Sequence, residues 1–122
     1  NEAISKKIAS LVRYNLILIY GSSIKEASAV IESCSLFITT DSGPMHIAIA
    51  LGKPPISLYG PSDIIETSAC VSLEKHVVIQ KDVPCPRPCK LKECDNPVCM
   101  DSITTDEVME AVERYHLQPV RK

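Results

Sequence analysis

The chain has 122 residues, of which 45% are hydrophobic and 23% charged, and its formal net charge is −2. That length suits one domain or a piece of a larger one, and the composition is that of a chain able to bury a core. The slight acidity offers nucleic acid no basic face, and no apolar run approaches the roughly eighteen residues that span a bilayer.

The opening "NEAISKKIAS" lacks the apolar centre of a signal peptide, so a cytoplasmic chain is expected. It begins with Asn1 in place of Met, directly in a helical pattern, and is read as a piece that continues upstream. Ile4, Ile8, Leu11 and Val12 recur at helical spacing with Lys6, Lys7 and Arg13 off the stripe, which predicts an amphipathic helix. "LILIY" (Leu16 to Tyr20) is continuously apolar between Asn15 and Gly21, the pattern of a parallel strand covered on both faces. Ser23 and Glu26 form a capping box for a helix whose apolar face is Ala27, Val30, Ile31 and Cys34. "LFITT" (Leu36 to Thr40) is the next predicted strand.

Pro44 suits the first position of a helix, and Gly52, Lys53 and Pro54 end it. Between these signals "MHIAIAL" is apolar almost all round, which predicts a deeply buried helix, with Lys53 as a solvated residue beyond it. "PISLY" (Pro55 to Tyr59) and "HVVIQ" (His76 to Gln80) read as strands, with a loop and one helical turn between Gly60 and Leu73. From Asp82 to Pro97 four prolines exclude regular helix. Thr104 and Glu107 then cap a last helix that presents Val108, Ala111, Val112 and Tyr115 on one face. Strands alternating with helices over short links predict an α/β fold: a Rossmann-like parallel sheet with helices on both faces and ligands beyond the carboxyl ends of the strands.

One such end carries Asp41, Ser42, Gly43, Pro44, Met45 and His46. A glycine there lets the backbone turn and a ligand approach, and the amides of Gly43, Met45 and His46 would face that ligand with about half a positive charge from the helix dipole. Phosphate is the natural occupant, with a hydroxyl from Ser42 and a ring N–H from His46. Asp41 would be repelled by phosphate, so it calls for donors such as sugar hydroxyls. The plainer alternatives are that Asp41 and Ser42 cap the helix, that His46 is a packed histidine and that Met45 belongs to the core.

"DSGPMHIAIALGKPPISLYGPSD" (Asp41 to Asp63) closely resembles the signature of glycosyltransferase family 9, the ADP-heptose:lipopolysaccharide heptosyltransferases and their relatives. "SSIKEASAVIESCSLFITT" before it and "CMDSITTDEVMEAVERY" after it resemble the same family. The resemblance implies a GT-B enzyme of two Rossmann-like domains. Residues 1–122 would form most of the C-terminal domain, which binds the nucleotide-sugar donor. The N-terminal acceptor domain, with the general base, would lie outside this chain, leaving it inactive alone.

By the same resemblance Asp41 would bind the donor sugar, while Ser42, Gly43, Pro44 and His46 surround the diphosphate and Ser22 and Ser23 approach the nucleoside; Met45 joins the donor-binding residues through its amide. The donor implied is ADP-heptose and the acceptor a lipid-linked saccharide, at the inner face of the cytoplasmic membrane, with no cofactor. Two features depart from the family: its first strand of this domain is not in the chain, and "IIETSAC" after Asp63 lacks the tryptophan-containing stretch of many members.

Cys85, Cys89, Cys94 and Cys99 follow a C-x3-C-x4-C-x4-C spacing, which leaves open a metal site, disulfides or free thiols, the last favoured because the spacing is not that of a zinc ribbon. Cys34 and Cys70 read as small buried hydrophobes. Two other functions compete: a nucleotide-sugar epimerase of GT-B architecture, and a cysteine-rich metal-binding interaction module. Epimerases carry a second glycine and an acidic residue where this chain has Pro44 and His46.

Overall fold

The computed structural model describes residues 2–67, 76–91 and 93–117. At its centre three short runs, β1 (Ile38–Thr40), β2 (Ile56–Tyr59) and β3 (Val77–Gln80), form a parallel sheet in the order β1-β2-β3. Ile38 pairs with Ile56 and Ile56 with Val77, which makes β2 the middle strand. Its Ile56, Ser57 and Tyr59 are wholly buried. The helices are α1 (Glu2–Leu11), α2 (Ile24–Ser33), α3 (Gly43–Ala50), α4 (Ile64–Thr67), α5 (Val98–Asp101) and α6 (Thr105–Leu117). α2 packs on α3, α3 on β1, α5 on β2, and α6 on β2 and β3, so the predicted Rossmann-like α/β class holds.

Both capping boxes form. The Ser23 amide and hydroxyl donate to the Glu26 carboxylate at 2.8 and 2.7 Å, and the Glu26 amide returns a bond to the Ser23 hydroxyl. Thr104 and Glu107 repeat the pattern at the start of α6. Glu107 also accepts from the Lys81 ammonium just beyond β3, which fastens α6 to the sheet. That bond, followed by those from Thr104, pulls the Glu107 carboxyl down to about 2.

At its other end α3 stops as predicted. Gly52 takes a left-handed φ of +71°, its amide donates to the Ile49 carbonyl, and the Lys53 amide donates to Ala48, which together are a Schellman motif. Lys53 is not a solvated residue, because its ammonium donates to the Cys34 carbonyl at 3.1 Å and ties the end of α2 to the end of α3.

Two expectations about burial fail. Leu16–Tyr20 joins no ladder, and Ile17 is 85% exposed. A continuous apolar run becomes a buried strand only where an edge accepts it and other layers cover it. Among the described residues the sheet ends at β1, and α1, which precedes the run, buries none of its side chains. Helix α3 is likewise less enclosed than "MHIAIAL" predicts. Met45 and Ala48 are fully buried against α2 and the sheet, but His46 and Ala50 are exposed. Cys34 is half-buried, with its thiol donating to the Val30 carbonyl, and Cys70 lies outside the described residues.

At Gly60, directly after β2, Met100 packs closely: a Cβ there would stand 2.6 Å from Met100 Sδ and 2.9 Å from Met100 Cγ, so a larger residue would have to displace that side chain. The bond from Arg87 Nε to the Gly60 carbonyl, with a second guanidinium bond to the Lys81 carbonyl, holds the cysteine-rich loop across the ends of β2 and β3.

The polar Ser57 inside β2 is satisfied by His76, whose Nε2 lies 2.7 Å from Ser57 Oγ. Among the described residues the buried His76 Nδ1 has no hydrogen-bond partner. Protonating the ring would leave an N–H there with no acceptor, and burial already pushes the His76 pKa below its ordinary 6.5. The unfolded chain takes up that proton and the folded chain resists it, so stability is full above about pH 6.5 and falls as the pH drops through the folded value. Thermal melts between pH 7.5 and about 5 should show this decline, and His76→Gln should flatten it. A slope unchanged by the substitution would place the titration elsewhere.

Candidate functional site

The end of β1 is fixed by its neighbour. Thr40 pairs with Leu58, and the Asp41 amide continues the contact by donating to the Leu58 carbonyl at 3.3 Å. Ser42 then turns the chain into α3 with extended backbone, φ −160° and ψ 171°. It stands at the N-cap, yet its side chain makes no capping bond. The hydroxyl turns back to the strand instead, donating to the Thr40 carbonyl at 3.1 Å and lying 3.4 Å from Thr39 Oγ1. The capping alternative therefore fails for the Ser42 side chain, and α3 begins with the positive end of its dipole unclaimed by a cap.

Asp41 and Ser42 are half-buried, while Gly43, Pro44 and His46 are exposed. The packed-histidine alternative for His46 is thereby overturned. Gly43 is not a left-handed turn residue, since among the described residues positive φ occurs at Gly21 and Gly52, but a Cβ on it would meet nothing within 4 Å. The space in front of the helix start is open. Gly43 is the first residue of the helix and Pro44 the second, one place later than expected but still in the first turn. The Met45 amide is already committed to the Ser42 carbonyl at 3.0 Å, which removes it from the donors expected to face a ligand.

The Met45 side chain is fully buried, and the Tyr59 hydroxyl donates to its sulfur at 3.3 Å. It belongs to the core beneath the site. Burial raises the Tyr59 pKa, a bond with Thr67 opposes this, and the nearby Asp41 charge raises it further. A neutral phenol thus lies within the field of the Asp41 carboxylate. Sequence reasoning missed Tyr59 and Thr39, because each lies on a strand whose apolar pattern advertises core and nothing else.

Ser22 and Ser23 stand apart, at the start of α2. The Ser23 hydroxyl is engaged in its capping box, and Ser22 is exposed beside Gly21, which has a φ of +62°. The loop cysteines Cys85, Cys89, Cys94 and Cys99 are unbridged, and no group of three or more Cys, His, Asp or Glu side chains among the described residues is placed to hold a metal.

A parallel sheet with helices packed around it, and a helix that starts directly beyond the carboxyl end of a strand, define the class as a Rossmann-like α/β fold. The sequence model of glycosyltransferase family 9 (heptosyltransferase) matches residues 1–98, and the chain belongs to that family. It is 30% identical over 95 residues to lipooligosaccharide heptosyltransferase 2 of Campylobacter jejuni subsp. jejuni serotype O:6, which covers 76% of this chain and 29% of that protein. The serotype O:2 protein of the same name is 32% identical over 91 residues, 73% of this chain and 28% of the relative. Lipopolysaccharide heptosyltransferase 2 of Escherichia coli K12 is 44% identical over 41 residues, 34% of this chain and 12% of the relative. The chain thus spans less than a third of the length of these relatives. No solved structure gives a significant match.

Proposed function

We propose that residues 1–122 form most of the C-terminal, nucleotide-sugar-binding domain of a GT-B glycosyltransferase that transfers heptose from ADP-heptose to a lipid-linked saccharide of lipopolysaccharide type. The observation that carries this reading is the α3 start at the carboxyl end of β1, free of a side-chain cap, with Asp41 beside it. Family membership and relatives named for heptose transfer to lipopolysaccharide and lipooligosaccharide support it.

In this reading the diphosphate lies before Gly43 and His46, and Asp41 accepts from the sugar hydroxyls. An acceptor hydroxyl attacks the anomeric carbon with inversion. The bond to the diphosphate breaks, and negative charge gathers on the departing oxygen. Donors already aimed at that charge stabilise the transition state by several kcal/mol, because they need no reorganisation when the charge forms. The acceptor proton passes to a general base in the N-terminal half, across the cleft, so the chain by itself binds donor without transferring it. The enzyme would work in the cytoplasm at the membrane's inner face as a peripheral protein. Among the described residues no helix is long and apolar enough to cross a membrane.

His46 supplies the test. Its exposure means that His46→Ala should change folding stability by no more than about 0.5 kcal/mol. In the full-length protein the same substitution should cost about 1 to 3 kcal/mol of transition-state stabilisation, the value of a lost charge-assisted bond to the diphosphate. An unchanged kcat/KM would take His46 out of the donor site.

A further inference from the structure

Cys85, Cys89 and Cys94 lie on the loop between β3 and α5, and Cys99 lies on α5. Together with Gly60 and Pro61 these four cysteines line one cavity of about 220 Å3. Two separate contacts bring a pair of them to the same turn. The Cys89 amide donates to the Pro61 carbonyl at 2.8 Å, and Cys99 Sγ lies 3.5 Å from the point a Gly60 Cβ would occupy. Both residues are half-buried, whereas Cys85 and Cys94 are exposed. Arg87, bonded to the Gly60 and Lys81 carbonyls, holds the Cys89 side of the loop in place.

We propose that Cys89 and Cys99 are a dithiol site that a peroxide converts to a disulfide, pinning α5 to the loop over the Gly60–Pro61 turn. One sulfur, as thiolate, attacks the peroxide O–O bond, which breaks to give a sulfenic acid and a first water. The second thiolate then attacks the sulfenic sulfur, forming the S–S bond and expelling a second water. Two electrons pass from the sulfurs to the peroxide, and the two thiol protons end in the two waters. Disulfide geometry demands close approach of the two backbones. The described part of the loop from 81 to 97 contains no helix or ladder to hold the two backbones apart. The lack of any described cluster of three or more metal-binding side chains favours two-sulfur chemistry over a metal centre.

The test treats the reduced full chain with hydrogen peroxide and assigns the linked tryptic peptides by fragmentation in tandem mass spectrometry, because Lys90 and Lys92 part Cys89 from Cys99 while Cys85 shares a peptide with Cys89 and Cys94 with Cys99. The expected product is a Cys89 peptide joined to a Cys99 peptide with the loss of two hydrogens, reversed by dithiothreitol and accompanied by a rise in melting temperature. Cys99→Ser should abolish the link and the rise without changing the melting of the reduced form. Arg87→Ala should scatter the pairing over the other loop cysteines. Cys89 joined indiscriminately to several partners in the unsubstituted chain, oxidation ending at sulfinic acid on separate residues, or stoichiometric zinc or iron shielding all four thiols would each overturn the proposal.

Discussion

Met45→Ala is expected to cost about 2 to 5 kcal/mol of folding stability, the range for truncating a buried methionine. The residue stands in the middle of a motif that otherwise reads as ligand-binding, yet its side chain has no exposure and accepts the Tyr59 hydroxyl. Removing it opens a cavity between α3 and β2 and leaves the phenol without that acceptor, so two penalties add. Met45→Leu, which keeps most of the volume, should cost less than about 1.5 kcal/mol beyond the lost contact to sulfur. Denaturant titration would show the loss as a lower midpoint with an unchanged slope. A variant of full stability that fails to bind nucleotide would instead make Met45 a contact residue.

Asp41→Asn is the second large effect, and its sign depends on the ligand. Toward a nucleotide diphosphate sugar the change should weaken binding by about 1.5 to 3 kcal/mol, the value of hydrogen bonds to a charged acceptor. That corresponds to roughly ten- to a hundredfold in Kd. Toward the free nucleoside diphosphate it should leave affinity unchanged or raise it, because a carboxylate near a diphosphate repels it. Calorimetric titration of both ligands separates the cases. Equal weakening of the two would mean that Asp41 shapes the loop and does not hold sugar.

Local signals in the sequence are complete where a few residues decide the outcome. Ser23 with Glu26, Thr104 with Glu107, Pro44 at a helix start and Gly52 at its end each settle their structure through bonds to near neighbours. The strands at Ile38, Ile56 and Val77 were legible for the same reason, as short apolar runs between breakers. Leu16–Tyr20 has the same composition and forms no strand, because pairing is a property of two edges and one run reports only itself.

The site divides along the same line. Adjacency in the chain brought Asp41 through His46 into view, but which of them face solvent and which carry the core depends on α2 and β2 packing behind them. Periodicity around α3 is nearly uniform, so it gives Met45 and His46 no separate signatures, although one is fully buried and the other exposed. Arg87, Lys81 and the Ser57–His76 pair act across separations of six to 27 residues, where no spacing rule applies.

The proposed donor site is tested most directly by the backbone amide shifts of this chain as ADP or UDP is added. A helix start that binds the diphosphate should show its largest changes at Ser42, Gly43, Met45 and His46, saturating together, with Met45 moving through its bond to the Ser42 carbonyl. Changes confined to the cysteine loop, or none at Gly43 and His46 while nucleotide binds elsewhere, would contradict a donor site at the end of β1.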